Sequence, residues 1–173
     1  MKLRDDREVL LRPAHIADAN GLQALEAAIV TADEGVVIEI EDIRPTAAVR
    51  SRIQRFIDSD NLLLIALIGD QVVGSVDVEP IPLAPLQHNA ELTMGVLPSA
   101  QGVGLGRILL EAAMSWCELM RIDRIELQTL ANNHRAIKLY ESIGFSCVHL
   151  RKGFVRRADG RVIDDWRMEW VRG

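Results

Sequence analysis

Long apolar runs are missing from this chain of 173 residues: the longest, Leu62 to Ile68, is seven residues, where a membrane span needs about 20. No bilayer-crossing segment is expected. A basic start followed by an apolar stretch is missing too, because the chain opens Met1-Lys2-Leu3-Arg4-Asp5-Asp6-Arg7-Glu8. A secretory leader is therefore not expected, and the cytoplasm is the default address. Cysteine is scarce. Cys117 and Cys147, 30 positions apart, cannot by themselves make a disulfide framework or a zinc knuckle, and His15, His88, His134 and His149 are scattered. A bound metal is not expected. An excess of positive charge is lacking, with 25 acidic residues against 20 basic ones and a net charge of -5. That balance disfavours non-specific binding to nucleic acid or to an anionic membrane and suits a cationic or zwitterionic small partner. Repeats, low-complexity tracts and Gly/Ser-rich linkers are absent as well, so residues 1–173 read as a single domain, with 1–7 as a frayed N-terminus.

What is present is an ordinary globular composition, 49% apolar and 26% charged, in a chain long enough to bury roughly 70% of its unfolded surface. Glu8 to Arg12 is a strand candidate closed by Pro13. Ala14 to about Val30 carries Ile16, Ala19, Leu22, Leu25 and Ile29 at helical spacing, and Pro45 opens a second helix presenting Val49, Ile53, Phe56 and Ile57. Leu62 to Ile68 and Val72 to Val78 read as a hairpin about Gly69-Asp70-Gln71, and the proline-bearing stretch from Pro80 to Asn89 reads as a loop. A strand from Ala90 to Leu97 leads through a glycine-rich turn into a helix whose stripe is Leu105, Ile108, Leu109, Ala112, Trp116 and Leu119. Arg124 to Leu130 alternates as a half-buried strand. Asn132 or Asn133 caps a further helix that stops at Gly144, and Phe145 to Arg156 and Arg161 to Val171 form a final hairpin, with Trp166, Met168 and Trp170 on one face. The order describes a mixed α/β domain.

Chemistry concentrates in Gln101-Gly102-Val103-Gly104-Leu105-Gly106-Arg107. Three glycines at alternate positions, after a strand and opening a helix, let backbone N–H groups converge on an anion at the positive end of the helix. A phosphate or pyrophosphate is the natural ligand; a sharp turn with no ligand is the plain alternative. No Gly-Lys-Ser/Thr follows, which excludes the P-loop, and Arg107 occupies the third small position that a dinucleotide loop requires.

Gln101-x-x-Gly104-x-Gly106 after the strand Glu91 to Leu97, with Asn133-x-x-Ala136-Ile137-x-Leu139-Tyr140-x-x-x-Gly144-Phe145, resembles the GCN5-related N-acetyltransferase (GNAT) family. The resemblance covers nearly the whole chain and implies the GNAT fold: a mixed central sheet of about six to seven strands flanked by four helices, splayed between the fourth and fifth strands. It further implies an acetyl-coenzyme A dependent N-acetyltransferase that moves the acetyl group directly to an amine, with acetyl-coenzyme A as co-substrate and no metal. Arg157 to Asp164 is similar to the closing hairpin of members that act on amino acids and other small amines, so a small-molecule amine is the expected acceptor. Acetylation of a protein N-terminus or lysine, and a non-catalytic coenzyme A binding module, are the alternatives. Self-association into a homodimer is compatible with these features.

By the same resemblance, amides from Gly102 through Val103, Gly104 and Gly106 to Arg107 would hold the pyrophosphate, with Gln101 opening the loop. The Arg107 side chain would either add a charge or lie solvated on the helix. The backbone of Met94 to Leu97, including Val96, would pair with the pantetheine arm like an added strand. Asn133, Ala136 and Tyr140, three and four residues apart, share one helix face at about 100° per residue. Asn133 would cap the helix and bond the pantetheine, and Ala136 would let it approach. Tyr140 would either pack in the core or give its phenolic proton to the departing thiolate. Glu91 resembles the strand glutamate that serves as base in some members, directly or through water, and is otherwise an outward strand residue. Glu79 and His88 are reserves. Cys117 and Cys147 read as packed thiols.

Overall fold

The computed structural model describes residues 1–32 and 37–173. Seven strands, β1 (Leu10–Pro13), β2 (Leu62–Ile68), β3 (Gln71–Pro80), β4 (Asn89–Val96), β5 (Arg124–Leu130), β6 (Ser146–Arg156) and β7 (Val162–Val171), form one sheet in the order β1-β2-β3-β4-β5-β7-β6. Four helices accompany them: α1 (Ala19–Thr31), α2 (Thr46–Asp58), α3 (Leu105–Leu119) and α4 (His134–Glu141). Neighbouring strands are antiparallel except β4 and β5, which run parallel. That pair is joined only at Asn89, Ala90 and Glu91 and then diverges, leaving a fork beside Leu92 to Val96. Its position matches the splay expected between the fourth and fifth strands.

Two apolar clusters occupy the two sides of the sheet. One, with Leu105, Leu109, Leu110, Ile125 and Met168 at its centre, joins α3 and α4 to the strands; the other joins α1 and α2 through Leu22, Leu25, Ile53 and Phe56 to Ile65 and Val72. Several boundaries differ from the sequence expectation. The helix expected from Ala14 starts at Ala19, after a 3-10 turn at Ile16–Asp18, because Asp18 is held as a capping carboxylate by the His15 amide and the Arg12 guanidinium. In α3 the buried line is Leu105, Leu109, Leu110, Ala113 and Cys117, whereas Leu119 is 82% exposed. The expected stripe leaned toward Ile108, Ala112, Trp116 and Leu119; the buried line is rotated onto Leu110, Ala113 and Cys117, whose last two small side chains admit close helix–sheet contact.

The N-terminus is a further correction. Residues 1–7 were expected to fray, but Lys2 bridges to Glu8, and Leu3 and Val9 are buried. The Arg4 amide donates to the Val103 carbonyl at 3.1 Å, and the Arg7 guanidinium donates to the Ser99 carbonyl at 3.0 Å. The strap so formed crosses the glycine-rich turn.

Candidate active site

The turn after β4 is built for close approach to backbone. Gly102 and Gly104 have φ of +77° and +98°, in the left-handed region that only glycine enters freely, and Gly104 is the N-cap of α3. Gly106 sits where a Cβ would come within 3.0 Å of Leu139, so its smallness lets α3 approach α4. Gln101 braces the turn by donating its side-chain amide to the Val96 carbonyl at 3.0 Å.

On β4 the register assigns each backbone group an edge. Leu97 donates its amide to the Val73 carbonyl, so by antiparallel alternation Gly95 also faces β3, while the backbone groups of Met94 and Val96 face the fork. Met94 and Val96 are therefore placed as expected for pairing with an extended arm. Leu97 is not: its amide is already spent in the sheet. At Val103 the carbonyl accepts from the Arg4 amide and the side chain packs on the core, neither of which involves the amide expected to face the phosphates.

A cavity of about 290 Å³ runs along this fork. Among the described residues it is lined by Met94, Val96, Gln101, Gly102, Gly104, Gly106, Arg107, Asn133, Ala136 and Tyr140, ten of the residues singled out from the sequence, and by Arg4, Ile29, Gly95, Gln128, Thr129, Arg135 and Leu139. Asn133 caps α4, its side chain accepting the Ala136 amide at 3.2 Å. Arg107 reaches Ser142 at 2.7 Å and Glu111 at 3.3 Å, with its side chain 42% exposed, which places it at the rim. Three arginines, Arg4, Arg107 and Arg135, thus stand around a glycine-lined helix N-terminus. That donor set fits a ligand carrying several phosphates. Arg4 was missed in the sequence because a charged terminus gives no local sign of where it will dock.

Tyr140 is buried against Phe145, ring centroids 5.8 Å apart, and burial pushes its phenol up to about 12. The group keeps its proton at neutral pH, so its hydroxyl has a hydrogen to donate. Burial also pushes the Cys117 thiol up to about 12 and, with Glu141, raises that of Cys147, so neither is an activated nucleophile.

A second cavity, of about 140 Å³, lies on the other side of β4 and meets the first at Ile29, Met94 and Gly95. Leu22, Leu25, Ile29, Val30, Ile38 and Val49 give it an apolar wall, and Glu26, Arg44, Arg52 and Asp77 give it a charged one. The first two helices contribute to it, whereas the loop 81–89 and the final hairpin do not line it. The hairpin acts from behind: buried Arg157 donates to the Val37 and Ile38 carbonyls and pairs with Glu39. Glu91 is exposed and lines neither cavity, but it closes the paired part of β4 and β5 at the base of the fork, on the strand face shared by Thr93 and Gly95. Glu79 is paired with Arg55, and His88 lies in the exposed loop.

The Acetyltransferase (GNAT) family matches residues 24–145. The chain belongs to that family. The family's co-substrate is acetyl-coenzyme A, and the glycine turn, the arginines and the fork are the features that fit it. A ribosomal protein bS18-alanine N-acetyltransferase from Escherichia coli is 38% identical over 88 residues, 51% of this chain and 60% of that enzyme. An L-amino acid N-acetyltransferase from the same species, AaaT, is 28% identical over 110 residues, 63% of this chain and 67% of the other. The chain spans less than a third of the longer relatives it matches. Among solved structures, a GNAT superfamily phosphinothricin acetyltransferase from Sinorhizobium meliloti, described in complex with acetyl-coenzyme A, superposes with a TM-score of 0.85 at 21% identity, over 95% of this chain and 89% of that one. Among the described residues no helix is long and apolar enough to cross a membrane.

Proposed function

We propose that the protein is an N-acetyltransferase that passes the acetyl group of acetyl-coenzyme A directly to the amine of a small molecule. The observation that carries this reading is the junction of the two cavities at Met94 and Gly95, which would bring a cofactor in the fork and an acceptor beside α1 and α2 to one point. Bound acetyl-coenzyme A supplies an activated thioester. The amides of the turn and the nearby arginines hold its phosphates, and the fork-facing groups of Met94 and Val96 align its extended arm.

Tyr140 then donates a hydrogen bond toward the leaving sulfur. With its phenol near 12, against roughly 8.5 for an ordinary thiol, complete transfer of its proton to a thiolate is uphill. Its contribution is to stabilise developing charge, with solvent completing the protonation. Glu91, exposed at the base of the fork, takes the amine's proton through water. The relatives' names cover both acceptor types, an L-amino acid and an alanine of a ribosomal protein. The small volume of the acceptor cavity favours the former. An assay of thiol release across amino acids, simple amines and ribosomal or histone-like peptides tests the reading. Coenzyme A binding without turnover of any amine would leave a binding module instead.

A further inference from the structure

The acceptor cavity contains an unusual economy of charge. Asp77 is 7% exposed on β3 and bonds the Arg52 guanidinium of α2 at 2.7 Å; Glu26 of α1 pairs with Arg44, which precedes α2, at 3.3 Å. All four side chains line a space whose remaining wall is mainly aliphatic. A buried ion pair such as Asp77–Arg52 contributes little to stability, since desolvation offsets most of its attraction, and the Arg44 side chain is 48% exposed at the edge of the same cavity. Two guanidinium groups facing one small cavity therefore call for another explanation.

The geometry supplies one. The Asp77 carboxylate lies 2.7 Å from a terminal nitrogen of Arg52, and a guanidinium carries five N–H donors in a planar fork suited to carboxylates. Arg52 is further fixed by lying over the Phe56 ring, 5.0 Å from its centroid. We propose that Arg52, with Arg44, receives a carboxylate of the acceptor, so that the substrate is an α-amino acid with an apolar side chain. This rests on the transferase reading above. Asp77 and Glu26 are positioning residues that hold the two guanidinium groups toward the cavity. The aliphatic residues Leu22, Leu25 and Ile29 take the side chain, leaving the amine to face Met94 and Gly95, where the two cavities join. The size agrees: an apolar cavity of roughly 150 Å³ holds a benzene-sized guest, against about 140 Å³ here. Desolvation raises the Asp77 carboxyl above the usual range despite Arg52 and Arg44, with Glu79 adding in the same sense.

The test uses L-leucine, leucinol, leucinamide and a leucyl dipeptide as acceptors, followed by thiol release with acetyl-coenzyme A. Binding of L-leucine and leucinol is followed separately, by calorimetry in the presence of coenzyme A. L-leucine should exceed leucinol and leucinamide in kcat/KM by about 10- to 100-fold, the scale of losing a hydrogen bond to a charged partner, and should bind more tightly by a similar factor. Arg52→Gln should collapse the ratio of leucine to leucinol, chiefly through a raised KM for leucine, while coenzyme A affinity persists. Asp77→Asn should raise KM for leucine more than for leucinol, a selectivity that a purely structural defect would not produce. If either variant fails to fold, the wild-type series decides alone. Equal use of leucine and leucinol, or turnover of the dipeptide only, would overturn the proposal and leave an acetyltransferase. Turnover of no amine would overturn both readings.

Discussion

The two sides of β4 carry cavities made from different materials, one built around glycines and backbone groups with arginines at its edge, the other lined mainly by side chains. The fork side presents glycine amides, a helix N-terminus, strand amides at Met94 and Val96 and the capped start of α4. On the acceptor side the charged groups are Glu26, Arg44, Arg52 and Asp77, drawn from four separate stretches of chain. A backbone site requires special φ values at fixed offsets, so it leaves a local spacing in the sequence. A side-chain site assembled across long intervals leaves none.

The largest test of this contrast is at the turn. Gly104→Val should lower coenzyme A affinity by about 10²-fold or more, because a branched side chain both resists φ near +98° and fills the approach to the amides. Gly160→Val is the control: it has φ of +87° but open space around it, in the distant hairpin. Calorimetric titration should separate the two, with the strain common to both and the loss of binding confined to Gly104. Equal affinities would place the anion site elsewhere.

Legibility follows the same division. The alternation in β5, the cap at Asn133 and the stop at Gly144 were readable because each depends on a few adjacent residues. The docking of Leu3 and Arg4 over the turn was not, since it depends on the Val103 carbonyl a hundred residues away. The pairing of Asp77 with Arg52 was equally invisible: neither residue type, at its own position, differs from a solvated charge. Leu97 was misplaced for a subtler reason: it lies one residue past the end of β4, and its amide still points to β3 rather than the fork.

A second test stays on the fork side but moves from backbone to side chain. Tyr140→Phe keeps the packing against Phe145 and removes the hydroxyl, so turnover should fall by roughly 10²-fold with coenzyme A affinity little changed. Loss of affinity with intact turnover would make Tyr140 a binding residue.

At the base of the fork, Glu91→Gln should lower turnover by about 10-fold, chiefly below the pKa of an α-amino group, roughly 7.7–8.0. There the acceptor arrives protonated and a base is needed; at higher pH the variant should recover. Steady-state pH profiles at saturating acetyl-coenzyme A check this. An unaltered profile would transfer the role to another group or to a water chain.

The smallest expected effect tests whether the N-terminal strap belongs to the backbone-built site or merely covers it. The Arg4 amide bonds Val103, and its side chain lies near Gly104, 3.8 Å from where a Cβ would stand there. The backbone bond survives truncation of the side chain, so Arg4→Ala should keep the strap in place and remove only the guanidinium. Because that group is exposed, solvent screens it, and coenzyme A affinity should weaken by only about 3- to 10-fold, more at low salt than at high. Acetyl-pantetheine, which shares the thioester arm but lacks the pyrophosphate, provides the internal comparison. Its KM should be the same in wild type and Arg4→Ala if the guanidinium meets phosphate. An equal rise for both donors would mean that Arg4 shapes the cleft without touching the anion, and no change for either would reduce the strap to a cover.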